Sequence, residues 1–126
     1  MIKAAVINRK IENGLSAIKV EGHSKVSELC NAVSILMKTM ESGVESAADI
    51  LKKNDARDSY WNNEISFRLK NGDGGTIYRI NKPCEGIFEI YFENTEYTDF
   101  LIAVFKKTAN WLINQYPEEI TFYEVK

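Results

Sequence analysis

Leu15-Ser16-Ala17-Ile18-Lys19-Val20-Glu21-Gly22-His23-Ser24-Lys25-Val26-Ser27-Glu28-Leu29-Cys30-Asn31-Ala32-Val33-Ser34 changes character part-way along its length. Leu15 to Val20 reads as a β-strand, and so does Ile2 to Ile7 upstream. Asn13-Gly14 between them is a tight-turn pair, so the two strands form a hairpin. Beyond Gly22 the period changes. Val26, Leu29, Val33, Met37, Met40 and Val44 recur at spacings of three and four. That spacing predicts an amphipathic helix from about residue 27 to the high forties. Ser27 is read as its N-cap, with a hydroxyl able to accept a bond from the amide of residue 30. Gly43 weakens the helix locally and leaves its end unfixed.

The rest of the chain follows from the same signals. Lys52 to Asn63 is polar, lacks a clear period and reads as a surface connection, with room for a helical turn. Strands are expected at Ile65 to Lys70, Thr76 to Ile80 and Ile87 to Phe92. Asn71-Gly72-Asp73-Gly74-Gly75 joins the first two, and Asn81 to Gly86 turns the chain again. A second helix is expected from about Asp99 to Tyr116, with Leu101, Val104, Phe105, Thr108, Trp111 and Leu112 on its buried side. Pro117 stops it, because proline has no N–H for the next helical bond. Ile120 to Val125 closes the chain as a strand. The order ββα-βββ-αβ predicts a two-layer α+β fold, a mostly antiparallel sheet covered by two long helices. Residues 1–126 read as one domain, without repeat or linker.

Bulk properties narrow the function. The net charge of −2 gives no basic excess for nucleic acid. No apolar run approaches the roughly 20 residues of a membrane helix. The N-terminus lacks the charged region and long apolar stretch of a signal peptide. The expected compartment is the cytoplasm, where Cys30 and Cys84 stay reduced. Two cysteines and one histidine are too few for a typical structural zinc site.

Chemistry concentrates at the junction. His23, the only histidine, ends the second strand, and Cys30 enters the first helix seven positions later. With Ser27 as cap, Cys30 falls at the third helical position, where unpaired amides favour thiolate. In that arrangement Cys30 attacks a carbonyl. His23 accepts the thiol proton and later returns it to the leaving amine. Helix-start amides stand ready for the oxyanion. Gly22 permits an unusual backbone conformation or a close approach by a substrate strand. Another reading stays open: Cys30 lies on the apolar side of its helix beside Leu29 and Val33, and free cysteine often serves as a small buried hydrophobe.

Gly22-His23, Cys30 and Asn31-Ala32-Val33-Ser34 resemble the signature of the ribosomal-processing cysteine proteases, the Prp family. In that family a Gly-His pair ends a strand. An Asp-x-x-Cys then opens a helix, with a Ser one turn after the Cys. The resemblance extends over the order of elements along the whole chain. It implies a cytoplasmic, homodimeric endopeptidase with a Cys-His dyad and no metal or organic cofactor. Cys30 would be the nucleophile, His23 the general base, Ser27 the helix cap, and Ser34 a support one turn below Cys30. Members remove a short N-terminal extension from a large-subunit ribosomal protein, cutting after an aromatic residue. Relatives accompany phage and prophage genes, which makes capsid or scaffold proteins further substrates. This chain departs from the pattern at three places. Only Ser24 to Leu29 separate His from Cys, Ser27 replaces the Asp, and the region around Thr76 to Ile80 is longer. The alternative from a different class is a non-catalytic binding module that docks a ribosomal or phage protein.

Other features carry less. Asn71 to Gly75 lacks a following Lys-Ser or Lys-Thr and reads as a hairpin turn, not a phosphate loop. Cys84 sits in a turn with no histidine nearby in sequence and reads as incidental. Glu118-Glu119 reads as a solvated pair after a helix. Tyr60-Trp61 reads as sealing a core edge, ahead of a second reading in which the pair lines a recognition groove.

Overall fold

The structure, a computed structural model, describes residues 1–9, 14–50, 56–61, 64–68, 76–82 and 84–126, and for 56–61, 64–68 and 76–77 the backbone alone. The opening hairpin is present. β1 (Ile2–Ile7) and β2 (Ser16–Gly22) pair antiparallel, with Ile2 opposite Gly22 and Ile7 opposite Ala17. After α1 (Ser27–Ile50) come β3 (Ala56–Trp61), β4 (Glu64–Arg68), β5 (Thr76–Asn81) and β6 (Ile87–Phe92). α2 (Glu96–Gln115) and β7 (Ile120–Val125) complete the chain.

Among the described residues seven strands form one sheet, in the order β3-β4-β5-β6-β2-β1-β7. Every neighbouring pair is antiparallel except β1 and β7, which run parallel. The fold is the expected α+β class, with one strand more than the sequence suggested. β3 occupies part of the segment read as a surface connection. Among the described residues it is an edge strand, paired with β4 alone. Backbone pairing on one side is enough to hold such a strand, so it need not carry an alternating apolar pattern. The 71–75 turn, the Asn13 half of the first turn and the side chains of Tyr60 and Trp61 lie outside the described residues.

The helices lie against one face of the sheet. α1 packs on β5 and β6, α2 on β7 and β1, and the helices pack on each other. Between them, Val6, Ile18, Leu29, Met37, Ile90, Phe92 and Phe105 are almost fully buried. Each such side chain contributes roughly 1.5–3 kcal/mol relative to an exposed one. α1 runs through Gly43, where an added Cβ would meet a Leu101 methyl of α2 at 2.6 Å. The glycine marks the close approach of the two helices.

α2 departs from expectation at its start and on one face. It begins at Glu96, because Thr95 and Thr98 form a reciprocal capping box. Its buried side is Thr98, Ile102, Phe105, Ala109 and Leu112. Trp111 is 59% exposed, contrary to the reading from sequence. It stands about 100° round the helix from Leu112, beyond the stripe that faces the sheet. Pro117 does follow the end of the helix, where the Tyr116 N–H donates to the Leu112 carbonyl. No helix among the described residues is long and apolar enough to cross a membrane.

On the sheet face away from the helices, Lys19 pairs with Glu89 at 3.0 Å. Asn81 also donates to Glu89, at 2.8 Å, and Arg79 stacks on Tyr91 at 4.4 Å. Burial disfavours the Glu89 charge, but the bonds from Lys19 and Asn81 outweigh it and hold the carboxyl below its ordinary value of 4.5. A carboxyl lowered on folding supplies stability above its unfolded value, and that stability is lost as pH falls through the folded one. Unfolding free energy should therefore drop between about pH 5 and pH 3 in the wild type, and less steeply in Glu89→Gln. Denaturant titrations across that range measure the difference.

Candidate functional site

Gly22 is the last residue of β2 and lies between the starts of two neighbouring strands. Its N–H donates to the Gly86 carbonyl at 2.8 Å, on the β6 side. On the β1 side, an added Cβ would collide with the Met1 carbonyl oxygen. Its φ of 98° lies in the left-handed region. The close approach expected at Gly22 is thus made by the protein's own backbone. Only glycine meets both conditions without strain.

The left-handed turn delivers His23 onto the neighbouring turn. The Met1 amino group donates to the His23 carbonyl at 2.7 Å. The imidazole rests over Gly86, whose absent Cβ would come within 2.6 Å of Nε2. Gly86 too is left-handed, at φ 87°. Two glycines distant in sequence therefore seat one histidine.

α1 delivers Cys30. The helix begins one residue earlier than the Ser27 cap implied. The Cys30 N–H donates to the Val26 carbonyl at 3.2 Å, so Val26 takes the first helical bond. Ser27 is already helical and exposed, and the amide it was expected to cap is occupied. The hydroxyl at this end belongs to Ser24, which accepts from the Val26 N–H at 3.0 Å. Cys30 becomes the fourth helical residue, and its own amide is not a free donor for an oxyanion.

The thiol is held by the backbone of Ser24. Sγ accepts from the Ser24 N–H at 3.4 Å and donates to the Ser24 carbonyl at 3.3 Å. Among the described residues no hydrogen bond joins the His23 ring to Cys30. Both nevertheless line one cavity of about 530 Å³, together with Gly22 and Ser34. The volume lies within the range of small-molecule pockets. Val20, Val33, Met37 and Phe88 form its apolar wall. Both cysteines are free thiols. No cluster of three or more His, Cys, Asp or Glu among the described residues is placed to hold a metal ion.

Two residues at this site escaped the sequence. Cys84 lines the same cavity, because its turn precedes Gly86 and lies beside His23. Glu119 is not simply solvated: its side chain is 18% exposed, and Oε2 accepts from the Ser24 hydroxyl at 3.0 Å. Both are brought in by strand pairing at long sequence separation, which leaves no local signal.

The fold has a solved counterpart. The crystal structure of SMU.848 from Streptococcus mutans matches with a TM-score of 0.53 at 16% identity, covering 99% of this chain and 97% of that one. At that identity the likeness shows the fold alone. No family description and no curated protein matches the sequence.

Gly22→Ala should lower the unfolding free energy by at least about 1 kcal/mol, through the left-handed backbone and the Met1 contact together. Chemical denaturation measures it. A neutral or stabilising result would contradict the close approach.

Proposed function

We propose that this protein is a cysteine endopeptidase of the ribosomal-processing type, with Cys30 as nucleophile and His23 as general base. The observation that carries the reading is that the only histidine, at the end of β2, and Cys30, at the start of α1, line one cavity. The Gly-His and Cys-x-x-x-Ser pattern adds to it.

In the proposed reaction the thiol turns from the Ser24 carbonyl toward His23 and gives its proton to the ring. Sulfur attacks the scissile carbonyl carbon, and the carbonyl electron pair moves onto oxygen. When the tetrahedral intermediate collapses, the C–N bond breaks and His23 protonates the leaving amine. Water, deprotonated by His23, then hydrolyses the thioester and returns the thiol. The first step needs a side-chain rotation, in keeping with unliganded sites whose catalytic bonds are long or unformed. The substrate would be the N-terminal extension of a ribosomal protein, or a phage capsid or scaffold protein. The working form would be a cytoplasmic homodimer without cofactor.

One observation favours the second reading, a binding module. The Cys30 thiol is engaged with Ser24 on both its donor and acceptor sides, as a structural cysteine would be. Incubation with peptides from ribosomal and capsid protein N-termini separates the two. The protease reading predicts cleavage after an aromatic residue that Cys30→Ala abolishes and His23→Ala slows about a thousandfold or more. Peptide binding without cleavage by the wild type would favour the module.

A further inference from the structure

Ser24 follows His23 directly, and its own N–H and carbonyl are the two hydrogen-bond partners of the Cys30 sulfur. Whatever fixes Ser24 therefore fixes the resting position of the sulfur and the peptide that follows His23. The Ser24 hydroxyl has one proton, and it goes to Glu119 Oε2 at 3.0 Å. The same hydroxyl accepts from the Val26 N–H at the start of α1. Glu119 is itself anchored. Its carbonyl accepts from the Ile2 N–H at 2.8 Å, and its N–H donates to the Tyr116 carbonyl at 3.0 Å. A carboxylate whose backbone is pinned beside β7 thus holds the short segment between β2 and α1.

We propose that Glu119 is a positioning residue for the thiol, acting through its hydrogen bond to Ser24. The proposal rests on Cys30 being the nucleophile, and it adds a residue that the dyad pattern does not contain. The hydrogen bond matters more than the charge. The Glu119 to Lys25 contact is 4.0 Å long and the Lys25 side chain is 88% exposed, so water screens it. The bond to Ser24 is shorter, partly buried and charge-assisted. Without it, the segment that sets the sulfur relative to the imidazole is free to wander, and small displacements of reacting groups cost large factors in rate.

The test is alkylation of the full chain by iodoacetamide at neutral pH, with Cys30 and Cys84 followed separately by peptide mass. Glu119→Ala and Ser24→Ala should each slow Cys30 about tenfold. Glu119→Gln keeps the acceptor oxygen and should stay within about twofold of the wild type. The exposed Cys84 should label at the same rate throughout and serves as the internal reference. Should Glu119→Ala fail to fold, Ser24→Ala breaks the same bond without altering β7. A wild-type Cys30 faster than Cys84, with no loss in either alanine variant, would overturn the positioning role while leaving the nucleophile intact. Glu119→Gln as slow as Glu119→Ala would overturn the hydrogen-bond account. A wild-type Cys30 no faster than Cys84 would remove the nucleophile reading itself, and this proposal with it.

Discussion

The hydrogen bond from the Gly22 N–H to the Gly86 carbonyl ties the end of β2 to the start of β6, and the candidate site depends on it. Both glycines are left-handed. One turns the chain out of the sheet into His23, and the other makes the seat for the ring. Without this bond β2 would end loosely, and the path from β2 to α1 would not be fixed. The Met1 amino group adds a second hold on the same peptide, at the His23 carbonyl. The result is a histidine that is exposed in side chain but constrained in backbone.

The thiol is positioned from the opposite direction. Leu29, Val33, Met37 and Met40 seal α1 onto the sheet, so the Cys30 Cα is set by core packing. The freedom left to sulfur is its rotamer. That rotamer points to Ser24, which is tied to Glu119 on the far side of the junction. Core, strand end and C-terminal edge therefore meet at one residue pair. The site is built mainly from regular elements and tight turns, which hold a catalytic geometry better than long loops.

How legible this was in sequence varies with the range of the signal. β1, β6 and β7 match the sequence reading to the residue, because β-branched runs bounded by turn or proline signals are local. The apolar stripe of α1 was readable for the same reason. β3 was not, since an edge strand can rest on backbone pairing alone. The start of α2 depends on a Thr-x-x-Thr box that lacks the usual acidic partner. At the site, Gly22, His23, Cys30 and Ser34 were readable as a pattern, and all four line the cavity. Ser27 is not the cap, because Val26 takes the first helical bond and the hydroxyl at that end belongs to Ser24. Glu119 and Cys84 were invisible, since they reach the site through pairing of β7 with β1 and of β6 with β2.

In the proposed reaction His23 and Cys30 work on one substrate in one cavity. The most direct measurement is a crystal structure of the protein treated with a peptide aldehyde carrying an aromatic residue at the reactive end. The proposed dyad should give a thiohemiacetal on Cys30, the sulfur released from Ser24, and the His23 ring within hydrogen-bonding distance of the adduct. An adduct on Cys84, or one on Cys30 with the ring still resting on Gly86 and away from it, would rule out the dyad.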